Sequence, residues 1–248
     1  MSDARVVVVT GAASGMGAAS ARAFADRGDT VVIVDRAADG ADSVARAIGA
    51  PAPLIGDVSD SAFCDAAIEQ VVANHGGVDV LVNAAGTIHR ADSLGTDDAD
   101  WHRVMGVNVD GTYFMCRAVI EPMRARGGGA IVNFGSIWGE VGAAGVTAYC
   151  VSKGAVHQLT RALALDHVGD HIRVNAVAPG EVNTPMLASQ RAVPPSTADL
   201  QALADATIPM KRLAEPEEIA TVVVFLASAD AGYMTGAIVP VDGGYTVR

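Results

Sequence analysis

The sequence predicts a doubly wound α/β fold: a single domain built on a parallel sheet with helices on both faces. Three observations carry this expectation. Short apolar runs alternate with longer stretches of helical period along the whole chain, the order that repeated βαβ units produce. The runs are continuous in Val and Ile rather than alternating with polar residues, as strands buried on both faces require. Aromatic residues make up only 4% of the chain, and Ala, Val and Gly dominate, which suits close packing of helices on such a sheet.

The elements follow in order. Residues 6–9 read as the first strand and 15–27 as the first helix. Residues 31–34 form the second strand, followed by a helix over 38–48. A third strand closes at Asp57-Val58 and leads into a helix over 60–75. The fourth strand, 78–82, is followed by a helix over 97–125, and the fifth, 130–134, by a helix over 147–168. The sixth strand is 172–176, and a helix over 216–228 precedes the last strand at 237–241. With 248 residues, half of them hydrophobic, the chain can bury one substantial core. It shows no long linker and no internal repeat, so one domain spans 1–248. Residues 181–213 break the rhythm. Pro185, Pro194, Pro195 and Pro209 exclude a single long helix there, and an insertion just past a strand end is where a substrate lid would sit.

Composition excludes several classes. The formal charge of −11 repels nucleic acid and anionic membrane surfaces, so neither is expected as a partner; its plainest meaning is solubility. Cys64, Cys116 and Cys150 are odd in number and widely spaced, which argues against a disulfide framework or zinc site and for reduced thiols in a cytoplasmic protein. The start of the chain leads into only four valines, too short for a signal sequence or a membrane span. No metal is expected. His167 and His171 are four apart but straddle a helix-to-strand turn.

After the first strand come Thr10, Gly11, Ala12, Ala13, Ser14, Gly15, Met16 and Gly17. Gly11 permits a tight turn, Gly15 lets the backbone approach a pyrophosphate, and Gly17 allows the helix to pack on the sheet. Phosphates would meet N–H groups at the helix N-terminus. Asp35 ends the second strand, about 20 residues beyond the glycines, where a carboxylate accepts from ribose hydroxyls and repels a 2′-phosphate. NAD is therefore expected over NADP. Arg36 pulls the other way, since a cation there could bind that phosphate. Asp57 and Val58 close the third strand, where an adenine would lie. Asn83, Ala84, Ala85 and Gly86 close the fourth and leave room for a dinucleotide.

Tyr149 and Lys153 are four apart in a helical segment and so share one face. A tyrosine ionises near ~10, and a neighbouring ammonium would lower that value, making an acid/base unit. Ser136, thirteen residues earlier, could hydrogen-bond a substrate oxygen as charge develops. Asn108 reads either as part of a water chain toward Lys153 or as a structural hydrogen-bonder.

Taken together and in this order, the glycine turn, Asn83-Ala-Ala-Gly86, Asn108, Ser136, Tyr149-x-x-x-Lys153 and Pro179-Gly180 resemble the short-chain dehydrogenase/reductase family. The likeness covers essentially the whole chain. It implies a Rossmann-type sheet of seven strands, usually assembled as a homotetramer, and a catalytic tetrad. Tyr149 would be the acid/base, and Lys153 would lower its pKa and bind the nicotinamide ribose. Ser136 would polarise the substrate oxygen, and Asn108 would hold a water in a proton relay. Thr184 would contact the nicotinamide amide, beyond Pro179, Gly180 and Val182. In oxidation Tyr149 takes the hydroxyl proton and in reduction it returns it, while the cofactor supplies the redox power. Ala84 stands where the family often has a second Asn.

His89, Arg90, Trp138, Glu140, Glu181, Met186, Leu187 and Arg191 are expected to wall a mixed, partly polar pocket along with Ser136. That suits a small-molecule substrate: a diol, polyol or hydroxy acid and its ketone. Arg191 or His89 could hold an anionic group. Reduction of 3-oxoacyl thioesters on a carrier protein is the alternative enzyme, disfavoured by Asp35 and the net charge. A non-catalytic dinucleotide-binding redox sensor is the alternative from another class, and it has no use for Tyr149 and Lys153 together.

Overall fold

The computed structural model describes residues 4–191 and 193–247. Ala192, inside the expected lid, and residues 1–3, ahead of the first strand, lie outside the described residues. The elements are β1 (Val6–Thr10), α1 (Gly15–Ala25), β2 (Thr30–Asp35), α2 (Ala38–Ile48), β3 (Leu54–Ile55), α3 (Ser61–His75), β4 (Val80–Asn83), α4 (Asp98–Met105), α5 (Gly111–Ala125), β5 (Gly129–Phe134), α6 (Thr147–His167), β6 (Ile172–Pro179), α7 (Thr197–Thr207), α8 (Pro216–Leu226) and β7 (Ile238–Val241).

All seven strands pair in parallel in the order β3-β2-β1-β4-β5-β6-β7, so the fold expectation is borne out. Strand order reverses between β1 and β4. A crevice opens there at the carboxyl ends of the strands, where doubly wound sheets bind their ligands. The valine run of β1 shows why continuous hydrophobicity was needed. Val7 and Val9 point into the layer holding Phe24, Val44, Ile219 and Val223, while Val6 and Val8 point into the opposite layer with Ile68, Met115, Val119 and Leu163. Alternate side chains face opposite sides of a sheet, and here both sides are core.

Three departures from the expected elements matter for the site. The helix over 97–125 is interrupted by a π-helical turn, Gly106–Asp110, bounded by glycines, with Asn108 at its centre. Such turns relax the regular backbone ladder and re-aim side chains. The strand that was to close at Asp57-Val58 ends at Ile55, so Asp57 sits on a loop with its carboxylate accepting from the Ser59 main chain and hydroxyl. The 181–213 excursion holds a 3₁₀ turn, Pro185–Leu187, and the eleven-residue helix α7. A capping box formed by Ser196 and Asp199 starts α7, and it ends just short of Pro209. The prolines divide the segment, but one divided part is helical.

Candidate active site

The crevice holds a cavity of about 210 Å³. Its floor is the glycine turn: Gly11, Ser14, Gly15, Met16 and Gly17 all line it. A Cβ on Gly17 would lie 2.2 Å from the Gly11 carbonyl oxygen, so only glycine lets α1 start this close to β1. The first turn of α1 carries no acidic residue, and Ser14 makes no side-chain cap. The positive end of the helix therefore faces the cavity without internal competition, the arrangement that receives a phosphate. Asp35 and Arg36 at the end of β2, Asp57 and Val58 after β3, Ala84 and Gly86 after β4, and Thr184 complete the wall. Asp35 spans the rim, its two carboxylate oxygens accepting from the Ala13 and Ala37 main-chain N–H groups. The Ser59 main-chain and hydroxyl hydrogen bonds, helped by the charge of exposed Arg36, hold Asp57 below the usual carboxylate range against its burial. Asn83 is not on this wall. It is buried in the sheet, donating to Asn133 and Cys116, because alternation along β4 turns its side chain inward.

A second cavity of about 60 Å³ adjoins the first, and Met16, Thr184 and Met186 line both. Pro179, Gly180 and Val182 belong to this second space, as do Tyr149 and Ser136. The Ser136 hydroxyl accepts from the Trp138 main-chain N–H at 3.2 Å, and its proximity to the Tyr149 phenol works to lower the phenol's pKa. The Trp138 ring meets Tyr149 edge-on, 6.0 Å between centroids.

Lys153 lies one turn along α6, 4% exposed, with Nζ donating to the Phe134 carbonyl at 2.7 Å and standing 5.6 Å from the Tyr149 ring centroid. The expectation that Lys153 brings the phenol below its ordinary range needs correction. Burial pushes Tyr149 up to about 12, and Glu181 and Cys150 add to the rise, while the Ser136 hydrogen bond and Arg90 oppose it. Burial likewise draws Lys153 down to about 8.

Asn108 is fully buried, and its amide is committed to protein. Nδ2 donates to the Thr87 carbonyl and the Ser152 hydroxyl, both at 2.9 Å, and Oδ1 accepts from the Thr87 N–H at 2.8 Å. Of the two readings open for this side chain, the contacts are those of a structural hydrogen-bonder. They tie the chain after β4 to α6.

Among the expected substrate-facing residues, Ser136, Trp138, Glu181 and Met186 line the second cavity. His89, Glu140 and Arg191 do not. His89 turns toward Asp100 and the Gly95 carbonyl; Glu140 is exposed; Arg191 is exposed and donates to the Leu187 carbonyl. Arg90 lines the cavity and reaches across to the excursion, donating to the Met186 and Ser189 carbonyls. Burial raises Glu181, against the attraction of Arg90 and Arg191. Ile88 and Ile137 supply apolar wall that sequence reasoning passed over, since an isolated Ile beside a motif carries no signal of direction. Among the described residues no cluster of potential ligands could hold a metal ion.

A family model described as enoyl-(acyl carrier protein) reductase matches residues 11–246. Galactitol 2-dehydrogenase (L-tagatose-forming) of Cereibacter sphaeroides is 46% identical over 99% of this chain and 96% of its own. Cis-4-hydroxycyclohexanecarboxylate dehydrogenase of Sinomonas cyclohexanicum is 45% identical over 98% of this chain and 96% of its own. A Beutenbergia cavernae structure, assigned as an NAD(P) dependent gluconate 5-dehydrogenase with NADP bound at low occupancy, superposes with a TM-score of 0.90 at 38% identity, covering 98% of this chain and 97% of that one.

Proposed function

The chain belongs to the short-chain dehydrogenase/reductase family, and from that premise we propose that it interconverts a small polar secondary alcohol (a diol, polyol or hydroxy acid) and its ketone, using NAD. One observation carries the reading. The Tyr149 phenol and Ser136 line one small cavity of mixed polarity that shares Met16, Thr184 and Met186 with the glycine-floored crevice. The similarity to a galactitol and a hydroxy-acid dehydrogenase points to the same substrate class.

The crevice fits a nicotinamide dinucleotide: a glycine floor no side chain could share, a helix N-terminus without an acidic first turn, and small residues after β4. When bound, the dinucleotide supplies the hydride acceptor or donor. The chain's residues do the rest. Tyr149 takes the alcohol proton in oxidation and donates it in reduction. Ser136 holds the substrate oxygen against the phenol. Lys153 holds its ammonium beside the phenol and would bind the nicotinamide ribose. Asn108 fixes Thr87 and Ser152 around Lys153, where a relay water would be held. Thr184, beside Pro179, Gly180 and Val182, would meet the nicotinamide amide. Asp35 favours NAD, since a carboxylate at the rim repels a 2′-phosphate; exposed Arg36 is the residue that could admit NADP.

The 181–213 excursion is proposed as the substrate lid within a single domain, held by Arg90. Cys64, Cys116 and Cys150 are free thiols, which supports a cytoplasmic setting. No described helix is long and apolar enough to cross a membrane. Tyr113 on α5 and Val151 and Leu165 on α6 are exposed, an outer face that a homotetramer would cover.

The test is a screen of diols, polyols and hydroxy acids with NAD and NADP, read by nicotinamide absorbance. Turnover of polar secondary alcohols is expected. An acetoacetyl thioester reduced faster than any of them would favour the carrier-protein reductase, and NADH binding without turnover would favour a sensor.

A further inference from the structure

Behind Ser136 lies a residue with no part in the scheme above. His157 is 2% exposed, on α6. It follows Tyr149 and Lys153 at intervals of four, so the three side chains share one helix face. The Ser136 main-chain N–H donates to His157 Nε2 at 3.4 Å. The turn carrying Ser136 is wrapped around the imidazole. A Cβ on Gly135 would lie 2.2 Å from Nε2, and one on Gly139 would lie 2.7 Å from Cε1. Glycines on both sides of Ser136 thus make room for the ring. Burial, with the nearby charges of Lys153 and Arg161, holds His157 down to about 4. The ring is therefore neutral at ordinary pH, and a neutral ring accepting at Nε2 carries its proton on Nδ1.

We infer that His157 is a positioning residue for Ser136: by accepting the Ser136 main-chain N–H it sets the turn that points the hydroxyl at Tyr149 and the substrate oxygen. Ser136 starts a 3₁₀ turn, Ile137–Gly139; its hydroxyl accepts from the Trp138 N–H and lines the same cavity as the phenol. Neither group anchors the Ser136 main chain from the helix side, and His157 does. The inference rests on the alcohol-dehydrogenase reading for its catalytic consequence, but its structural part stands without it.

The experiment pairs His157→Leu, which removes the acceptor, with His157→Gln, whose amide oxygen can replace it. Two readouts are taken on the full-length protein: amide exchange at Ser136 and steady-state kinetics with the best alcohol. In the wild type the Ser136 amide is expected to be protected. H157L is expected to speed its exchange at least tenfold and to lower kcat about 10- to 100-fold, the scale of a roughly 1 Å misplacement, with NADH affinity unchanged. H157Q is expected to restore protection and to keep kcat within about threefold of wild type. Unaltered Ser136 exchange in H157L, or an H157Q as impaired as H157L with protection lost, overturns the proposal. A protected wild-type amide lost in H157L, in a protein that turns over no alcohol, would sink the enzymatic reading and leave the anchoring of Ser136 standing. Should H157L not fold, an H157Q with a fast-exchanging Ser136 amide overturns the proposal by itself.

Discussion

Lys153 crosses from α6 to β5, and among the described residues its ammonium has one hydrogen-bond acceptor, the Phe134 carbonyl at 2.7 Å. One neutral acceptor compensates a buried charge only in part, which is why burial draws the lysine down to about 8. The unfolded chain holds that proton up to its ordinary value of 10.5. Between the two values the unfolded state binds more protons, so stability rises with pH; below about 8 the cost of burying the ammonium is present in full. Lys153→Met should therefore raise Tm by several degrees at pH 7. The gain should shrink as pH climbs from 8 toward 10.5, as thermal unfolding across that range would show. Turnover should be lost in the same variant, a trade between stability and function.

Tyr149→Phe should remove the proton partner and leave the crevice intact. A loss of about 10²- to 10⁴-fold in kcat is expected for a missing acid/base group, with NADH affinity measured by fluorescence titration unchanged. Turnover close to wild type would exclude Tyr149 from the chemistry.

The phenol, pushed up to about 12, is protonated at neutral pH. Alcohol oxidation needs the phenolate and should accelerate as pH rises from 7 toward 10. Ketone reduction needs the protonated form and should not. Opposite-direction pH–rate profiles measured on one preparation check the sign.

Asp35→Ala removes the carboxylate at the rim and leaves Arg36 in place. The NAD-to-NADP ratio of kcat/KM should fall by roughly tenfold or more, the effect of about 1.4 kcal/mol of lost discrimination. The Ala13 and Ala37 N–H groups also lose their acceptor, so a modest loss of affinity for both cofactors should accompany the change.

Arg90→Ala cuts the two hydrogen bonds to the Met186 and Ser189 carbonyls. If the excursion is a lid, KM for the alcohol should rise about tenfold or more, the scale of losing a hydrogen bond to a charged donor, with the sheet's thermal stability little changed. An unaltered KM would separate Arg90 from substrate closure.

The sheet was legible because each valine run has one physical reading. A strand with core on both faces must be apolar throughout, and Val7 and Val8 show the two faces in adjacent residues. The glycine turn and the Tyr149–Lys153 pair were legible because their spacing dictates their geometry. What escaped depends on tertiary direction. Nothing local says that His89 turns toward Asp100, that Arg191 reaches back to Leu187, or that Asn83 faces into the sheet. The π-helical turn escaped because helical period alone does not register one inserted residue. Two signals were present and unused: the Ser196–Asp199 spacing of a capping box ahead of α7, and His157 one further turn along the face already marked by Tyr149 and Lys153.

The excursion after β6 leaves and rejoins the body of the protein at one clasp. Val182 bridges Ala214; the Asn183 N–H donates to the Ala214 carbonyl, and the Ala214 N–H donates to the Glu181 carbonyl. A segment whose ends are pinned together can change length at little thermodynamic cost, since doubling such a loop adds only about 0.6 kcal/mol of closure entropy. On the proposed reading, grafting the corresponding stretch of a relative between Val182 and Ala214 should change alcohol preference while Tyr149 and Lys153 on α6 and the glycine floor on α1 stay in place, although Thr184 and Met186, which line both cavities, are exchanged with it.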